Sequence, residues 1–156
     1  MDTQTFNNSS YEQTKPRILV VDDNEEIRQM LESYLNESGF TAVSAGNGYA
    51  GRERLNREYY DLVVTDICMS GMNGNDLLQY IRKIGRHLPV IAVTASPDLA
   101  LSDFDLVIRK PFEIKALVAS IQSLLNLYPA ITHHLNSVKT KLLKQLQEIE
   151  HGYSTD

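Results

Sequence analysis

The chain has 156 residues, of which 42% are hydrophobic and 22% charged, a composition that suits one folded domain with some additional structure. A formal net charge of −5 supplies no general basic footprint for nucleic acid, and the polar start MDTQTFNNSSYEQT lacks the basic-then-apolar order of a signal peptide. No apolar run reaches the roughly 18–20 residues that a bilayer span needs, and the one cysteine, Cys68, excludes an internal disulfide and a cysteine-rich zinc site. A cytoplasmic location is the expectation.

Residues 1–15, rich in Asn, Ser, Thr and Gln, read as a flexible tail. Arg17 to Asp22 is a short β-branched run that reads as a buried strand. Ile27, Met30, Leu31, Tyr34 and Leu35 then fall at helical spacing, with Asp23 or Asn24 as N-cap and Gly39 as the stop. Phe40 to Ala45 suggests a second strand, residues 47–58 a polar helix, and Asp61 to Asp66 a third strand. Ser70-Gly71-Met72-Asn73-Gly74 is dense in turn formers, so a loop follows. Leu77, Leu78, Ile81 and Ile84 mark another helix, Leu88 to Thr94 a fourth strand and Phe104 to Ile108 a fifth. A helix over 113–126 carries Ile114, Leu117, Val118, Ile121 and Leu125. Strand and helix alternate throughout, which predicts a doubly wound parallel sheet with ligands bound beyond the carboxyl ends of its strands.

From about residue 127 the pattern changes. Pro129 suits the first turn of a new helix, and Ile131, Leu135, Val138, Leu142 and Ile149 follow a heptad-like stripe, interrupted by Gln145 and broadened by Leu146. Lys139, Lys141 and Lys144 offset Glu148, Glu150 and Asp156, and the segment is too short for a DNA-binding domain. It is expected to act as an amphipathic helix over 127–156 that packs against a copy of itself, against the preceding domain or against a partner helix, with a homodimer through residues 130–150 as the preferred use. His133 and His134 point to different sides of a helix, lack a third ligand and read as solvated surface.

The chemistry-bearing residues stand at predicted strand ends: Asp22 and Asp23 after the first, Asp66 after the third, Thr94 after the fourth and Lys110 after the fifth. Taken alone, Asp22-Asp23 reads as a helix cap, Thr94 as a strand residue and Lys110 as part of a loop, whereas a carboxylate at Asp66 closing a run of Val and Thr is costly without a role. Together they place three carboxylates in one pocket, where repulsion raises their pKa values unless a cation compensates. An oxygen-rich site with room for water and phosphate oxygens suits Mg²⁺. Lys110 can hold a phosphoryl oxygen, the Thr94 hydroxyl can donate to another, and a carboxylate can attack phosphorus to form an aspartyl phosphate.

The pieces VVDDN at 20–24, TDICMSGMNG at 65–74, VTAS at 93–96 and RKPF at 109–112 resemble the response-regulator receiver family of two-component signalling, over about residues 16–126. The resemblance implies a flavodoxin-like sheet of order 2-1-3-4-5 flanked by helices. It makes Asp66 the phosphoacceptor, with Mg²⁺ held by Asp23, by Asp22 through water, by Asp66 and by the backbone carbonyl of Cys68. Thr94 is then the switch hydroxyl and Lys110 the phosphoryl contact. The implied partners are a histidine kinase or phosphotransfer protein as donor and a protein that takes the output, with no direct nucleic-acid or membrane contact. The only reactions implied are self-directed phosphotransfer and autodephosphorylation, so the chain is not expected to be an enzyme.

Three departures set further expectations. Ser70 stands where the family usually has proline. Val107 stands where it often has an aromatic ring, and a stiff β-branched side chain cannot swing as a ring does; Phe104 is not at the matching position. Only residues 95–103 separate the fourth and fifth strands, against the roughly 10–12 or more that a crossover with its helix needs. A stunted fourth helix is expected, with output moved to the C-terminal helix. The alternative is a scaffold with the same fold acting without phosphate. A phosphatase of the haloacid dehalogenase type is disfavoured because Cys68 stands where that family has its second aspartate, and a nucleotide enzyme because Asp-Asp-Asn-Glu-Glu replaces a glycine-rich turn.

Overall fold

A computed structural model describes residues 15–152. The expectation for a tail at 1–15 therefore falls, apart from Lys15, outside the described residues, as do the side chains of 130–137, 139 and 147–152. In chain order the elements are β1 (Arg17–Val21), α1 (Glu25–Glu37), β2 (Thr41–Ala45), α2 (Gly48–Arg57), β3 (Leu62–Thr65), α3 (Gly74–Lys83), β4 (Val90–Thr94), a 3₁₀ turn (Pro97–Leu99), β5 (Leu106–Arg109) and α4 (Ile114–Gly152). The sheet is parallel throughout, in the order β2-β1-β3-β4-β5.

Alternation along the strands sorts the core into two layers. Leu19, Val21, Val63, Val90 and Ala92 face α2 and α3, where they meet Leu55, Leu77, Leu78 and Ile81. Ile18, Val20, Leu62, Val64, Ile91 and Val93 face the other way, onto Leu31 and Leu35 of α1 and Leu117 and Ile121 of α4. The central strands are apolar on both faces because both faces are covered. Each wholly buried Leu or Ile contributes about 1.5–3 kcal/mol relative to exposure.

Asparagines set where the first three helices begin. Asn24 accepts from Ile27 N, Asn47 from Ala50 N, and Asn73 forms a reciprocal capping box with Asp76. Asn24, rather than Asp23, is therefore the cap of α1, which leaves Asp23 free of that task. The carboxylates read as strand ends lie just past them: β1 stops at Val21 and β3 at Thr65, so Asp22 and Asp66 sit on the loops.

The crossover from β4 to β5 holds one 3₁₀ turn and no α-helix, as the short spacing implied. The helix expected to start at Pro129 does not exist as a separate element. A single helix of 39 residues runs through Pro129, about 58 Å at 1.5 Å per residue. Its first part packs on the sheet; farther along, Val138, Leu142, Leu143 and Leu146 are about half exposed. Among the described residues no helix is long and apolar enough to cross a membrane.

Candidate functional site

Parallel strands bring their carboxyl ends to one edge, and backbone hydrogen bonds there fix the loops that follow. Asp22 N donates to Ala45 O at 3.2 Å, Asp66 N to Val21 O at 2.9 Å, and Lys110 N to Thr94 O at 2.8 Å. Residues that follow three strand ends, those of β1, β3 and β5, are thereby brought to one place. Lys110 Nζ donates to Asp22 Oδ2 at 2.8 Å and to Asp66 Oδ2 at 3.1 Å. Carboxylate oxygens of Asp22, Asp23 and Asp66 lie within 4.8 Å of one another.

The three acids sit in graded environments. Asp22 is buried, Asp66 half-buried and Asp23 exposed. Asp22 Oδ1 accepts from Asn24 N at 2.9 Å, and Arg28 Nη1 donates to the Asp22 carbonyl at 2.9 Å. Asp66 Oδ1 accepts from Ile67 N at 2.6 Å and from Cys68 N at 3.3 Å. Asp66 thus presents one oxygen to backbone donors and the other to Lys110. Burial pulls the Lys110 pKa down, but the hydrogen bonds and charges of Asp22 and Asp66 outweigh it and hold the ammonium above its ordinary value of 10.5. Lys110 is therefore a cation, and the four groups carry an excess of negative charge that one lysine does not cancel. A hard, all-oxygen donor set with an exposed member and residual negative charge fits Mg²⁺.

Around this cluster the loops are closely fitted. Gly74 opens α3 against the acceptor loop, where a Cβ would overlap the Asp66 carbonyl oxygen, and Gly74 N donates to Ile67 O at 3.0 Å. Ser70 is exposed on this loop, which turns at Gly71 with φ +75° while Met69 remains buried. Thr94 is wholly buried, and its hydroxyl oxygen accepts from Ser96 N at 3.1 Å. It ends the strand next to β3, where its carbonyl accepts from Lys110 N and its hydroxyl is engaged by Ser96 N. Val107 is half-buried against the α2–α3 side of the core, which includes Phe104. Beside Lys110 a largely apolar groove of about 540 Å³ is lined by Ile27, Met30, Pro111, Phe112 and Ile114.

Some groups that organise the site carried little sequence signal. Asn75 grips the crossover with its amide, donating to Leu99 O at 2.8 Å and accepting from Leu101 N at 3.2 Å. Asp105 accepts from Val90 N at 2.7 Å, from Arg82 Nη2 at 2.9 Å and from the Tyr128 hydroxyl at 2.8 Å. Burial and the Asp105 carboxylate push the Tyr128 phenol up to about 12. Arg28 could have been noticed one turn into α1, where a long cation reaches back to the strand end; nothing local marked Asn75, Asp105 or Tyr128.

A parallel 2-1-3-4-5 sheet carrying an acidic cluster and a lysine at its carboxyl edge is the architecture of receiver domains. The chain belongs to the response regulator receiver domain family, which it matches over residues 18–122. It is 34% identical over 131 residues to the transcriptional regulatory protein TctD of Salmonella typhimurium, covering 78% of this chain and 57% of TctD. It is 34% identical over 116 residues to the heme response regulator HssR of Staphylococcus epidermidis, covering 70% of this chain and 51% of HssR. The chain spans about half the length of these curated relatives. Among solved structures, response regulator TrrA from Thermotoga maritima in complex with Mg²⁺ and BeF superposes with a TM-score of 0.65 at 34% identity, over 70% of this chain and 98% of that one. A chain fusing a trimeric coiled coil of yeast Spc42 to another structure reaches 0.72 at 26% identity, over 89% of this chain and 96% of that one.

Proposed function

We propose that this receiver domain is a phosphoacceptor that carries signal as an aspartyl phosphate on Asp66, in a cytoplasmic two-component relay. The observation that carries the reading is the Lys110 ammonium held between Asp22 and Asp66. That arrangement keeps a cation beside the nucleophile, where phosphoryl charge would develop. Asp22, Asp23, Asp66 and the Cys68 carbonyl would hold Mg²⁺, the kind of ion in the TrrA complex. When bound, Mg²⁺ neutralises carboxylate and phosphoryl charge.

The oxygen of Asp66 attacks phosphorus. An O–P bond forms as the donor's N–P or acyl O–P bond breaks, and the electron pair leaves with the imidazole or the acyl oxygen. The donor is a histidine kinase, a phosphotransfer protein or a small acyl phosphate, and a protein donor approaches over the apolar groove beside Lys110. A phosphoryl group adds about −1.5 to −2 charges. Turning the Thr94 hydroxyl toward it would release Ser96 N–H and so move the crossover. Output passes to α4, whose exposed apolar side chains receive a protein partner or a second copy; the alignment along most of this chain with a coiled-coil fusion supports a coil there. Water attack on the aspartyl phosphate resets the domain. A phosphate-independent scaffold is the second reading, favoured by Val107 and the crossover without a helix.

Intact mass after incubation with a small acyl phosphate, with and without Mg²⁺, tests the reading. One Mg²⁺-dependent phosphoryl adduct, absent in Asp66→Asn, is expected. A folded protein with no adduct in either condition would favour the scaffold.

A further inference from the structure

The 3-4 spacing noted beyond Pro129 is not confined to that segment. Counted back along α4, the same register passes through Tyr128 to Leu124, Ile121, Leu117 and the first helical residue, Ile114. Ile121 and Leu117 are wholly buried against the sheet, and Ile114 and Leu124 pack beside them. Farther on, Val138 and Leu142 occupy the same register with 40% and 54% of their surface exposed. One face of one helix therefore changes hands: it serves this domain's core up to Tyr128 and is uncovered at Val138 and Leu142. Tyr128, tied to Asp105 at 2.8 Å, marks the handover. Pro129 falls on the flank of the stripe, not in it, so its missing N–H does not interrupt the apolar face.

We propose that a second copy of this chain covers the exposed part, and that the two α4 helices join as a parallel, in-register, two-stranded coiled coil. This rests on the reading of α4 as the output element and is independent of the chemistry at Asp66. A 3.5-residue repeat is the signature of a helix meeting a helix, and Gln145, the one polar core position of the exposed part, selects the geometry. In register and parallel, Gln145 meets Gln145 of the second copy, and the two amides satisfy each other. In an antiparallel pair it meets an apolar residue, with each amide left unpaired.

Flanking charge agrees with the parallel arrangement. Lys141 precedes the Leu142 layer and Leu146 follows the Gln145 layer, so the lysine stem of one copy lies over Leu146 of the other. No like-charged pair then faces across the seam at pH 7 with histidine neutral: the other flanking pairs are Leu127 with Thr132 and His134 with Lys139. Leu146 is 57% exposed in the single chain, and this contact accounts for an apolar residue there. Leu143 lies outside the seam. Both receiver domains then emerge from the same end of the coil, with their acidic clusters side by side.

The test uses the full chain. Sedimentation equilibrium is expected to give twice the chain mass; a monomer at all concentrations or a trimer overturns the proposal. In a Cys68→Ser background, Val138→Cys is expected to form a disulfide between copies under mild oxidation, and Lys144→Cys, on the outer side, is not. In an antiparallel pair centred on the Leu142–Gln145 layers the two 138 positions would lie about 16 Å apart. A dimer whose Val138→Cys variant does not cross-link therefore overturns the orientation. Leu142→Asp is expected to raise the dissociation constant at least about 100-fold, while leaving far-UV circular dichroism and acyl-phosphate labelling of the otherwise wild-type chain unchanged. Labelling on the same samples separates the two ideas: a dimer without an adduct sinks the phosphoacceptor reading alone, and an adduct on a monomer sinks the coil alone.

Discussion

Replacing Lys110 with methionine removes the cation while keeping most of the side chain's length. Its nitrogen stands 2.8 Å from Asp22 and 3.1 Å from Asp66, and Asp22 is 2% exposed. At this separation, with an effective dielectric of about 20, each attraction is worth about 5 kcal/mol before desolvation. Dehydrating the charged groups cancels most of that gain. Removing one member is a different matter, because the carboxylates then face each other with little water between them, and breaks of this kind cost about 3–5 kcal/mol. The Lys110 side chain is 17% exposed, which puts the expected loss at the lower end, about 3 kcal/mol at pH 7 in EDTA. Urea unfolding followed by far-UV circular dichroism reads it. In millimolar Mg²⁺ the deficit is expected to shrink below about 1 kcal/mol, since a bound divalent ion restores the missing charge and stabilises the folded state by mass action. Equal deficits with and without Mg²⁺, or none in EDTA, would refute the assignment of Lys110 as the compensating cation.

Gly74→Ala drives a methyl group into the Asp66 carbonyl; a stability loss of about 2 kcal/mol or more and slower acyl-phosphate labelling are expected, read by urea unfolding and intact mass. Both shifted titrations make the fold weaker in alkali. The Tyr128 phenol keeps its proton to about 12 when folded and loses it near 10.0 when unfolded, so its contribution is complete below pH 10 and disappears as pH rises toward 12. Lys110, raised above 10.5, acts in the same direction. Ultraviolet titration is expected to lose a late-ionising component in Tyr128→Phe. Met30→Asp places a charge in the groove beside Lys110 and is expected to slow phosphotransfer from a protein donor at least tenfold while sparing small acyl phosphates; equal slowing with both donors would count against docking there.

The sheet was legible because strands buried on both faces read as unbroken apolar runs: Ile18 to Val21, Leu62 to Val64 and Val90 to Val93 could be little else. The acidic cluster was legible for a related reason, since a carboxylate closing such a run is conspicuous. Boundaries were less so. Asp22, Asp61 and Asp66 looked like strand termini because polarity does not reveal which residue makes the last ladder hydrogen bond. Pro129 suggested a fresh helix, yet a proline on the flank of an already packed helix removes one hydrogen bond without ending it. The polar contacts of Asn75 and of Asp105 with Tyr128 join residues more than twenty positions apart, and nothing in local pattern pairs such side chains before the chain folds.

Asn75 has a consequence for how many arrangements the domain can adopt. It is the second residue of α3, so it moves with the loop that carries Asp66, and its amide holds both Leu99 and Leu101 of the segment following Thr94. Two independent flaps would give four combinations, two of them mismatched and each taking population from the signalling state. On the phosphoacceptor reading proposed above, clamping one flap to the other would remove the mismatched pair and leave a binary element, the kind of discrete alternative that a single covalent event can tip. In statistical terms, one carboxamide would prune the ensemble, so that a short crossover with no α-helix of its own would follow the loop it is fastened to.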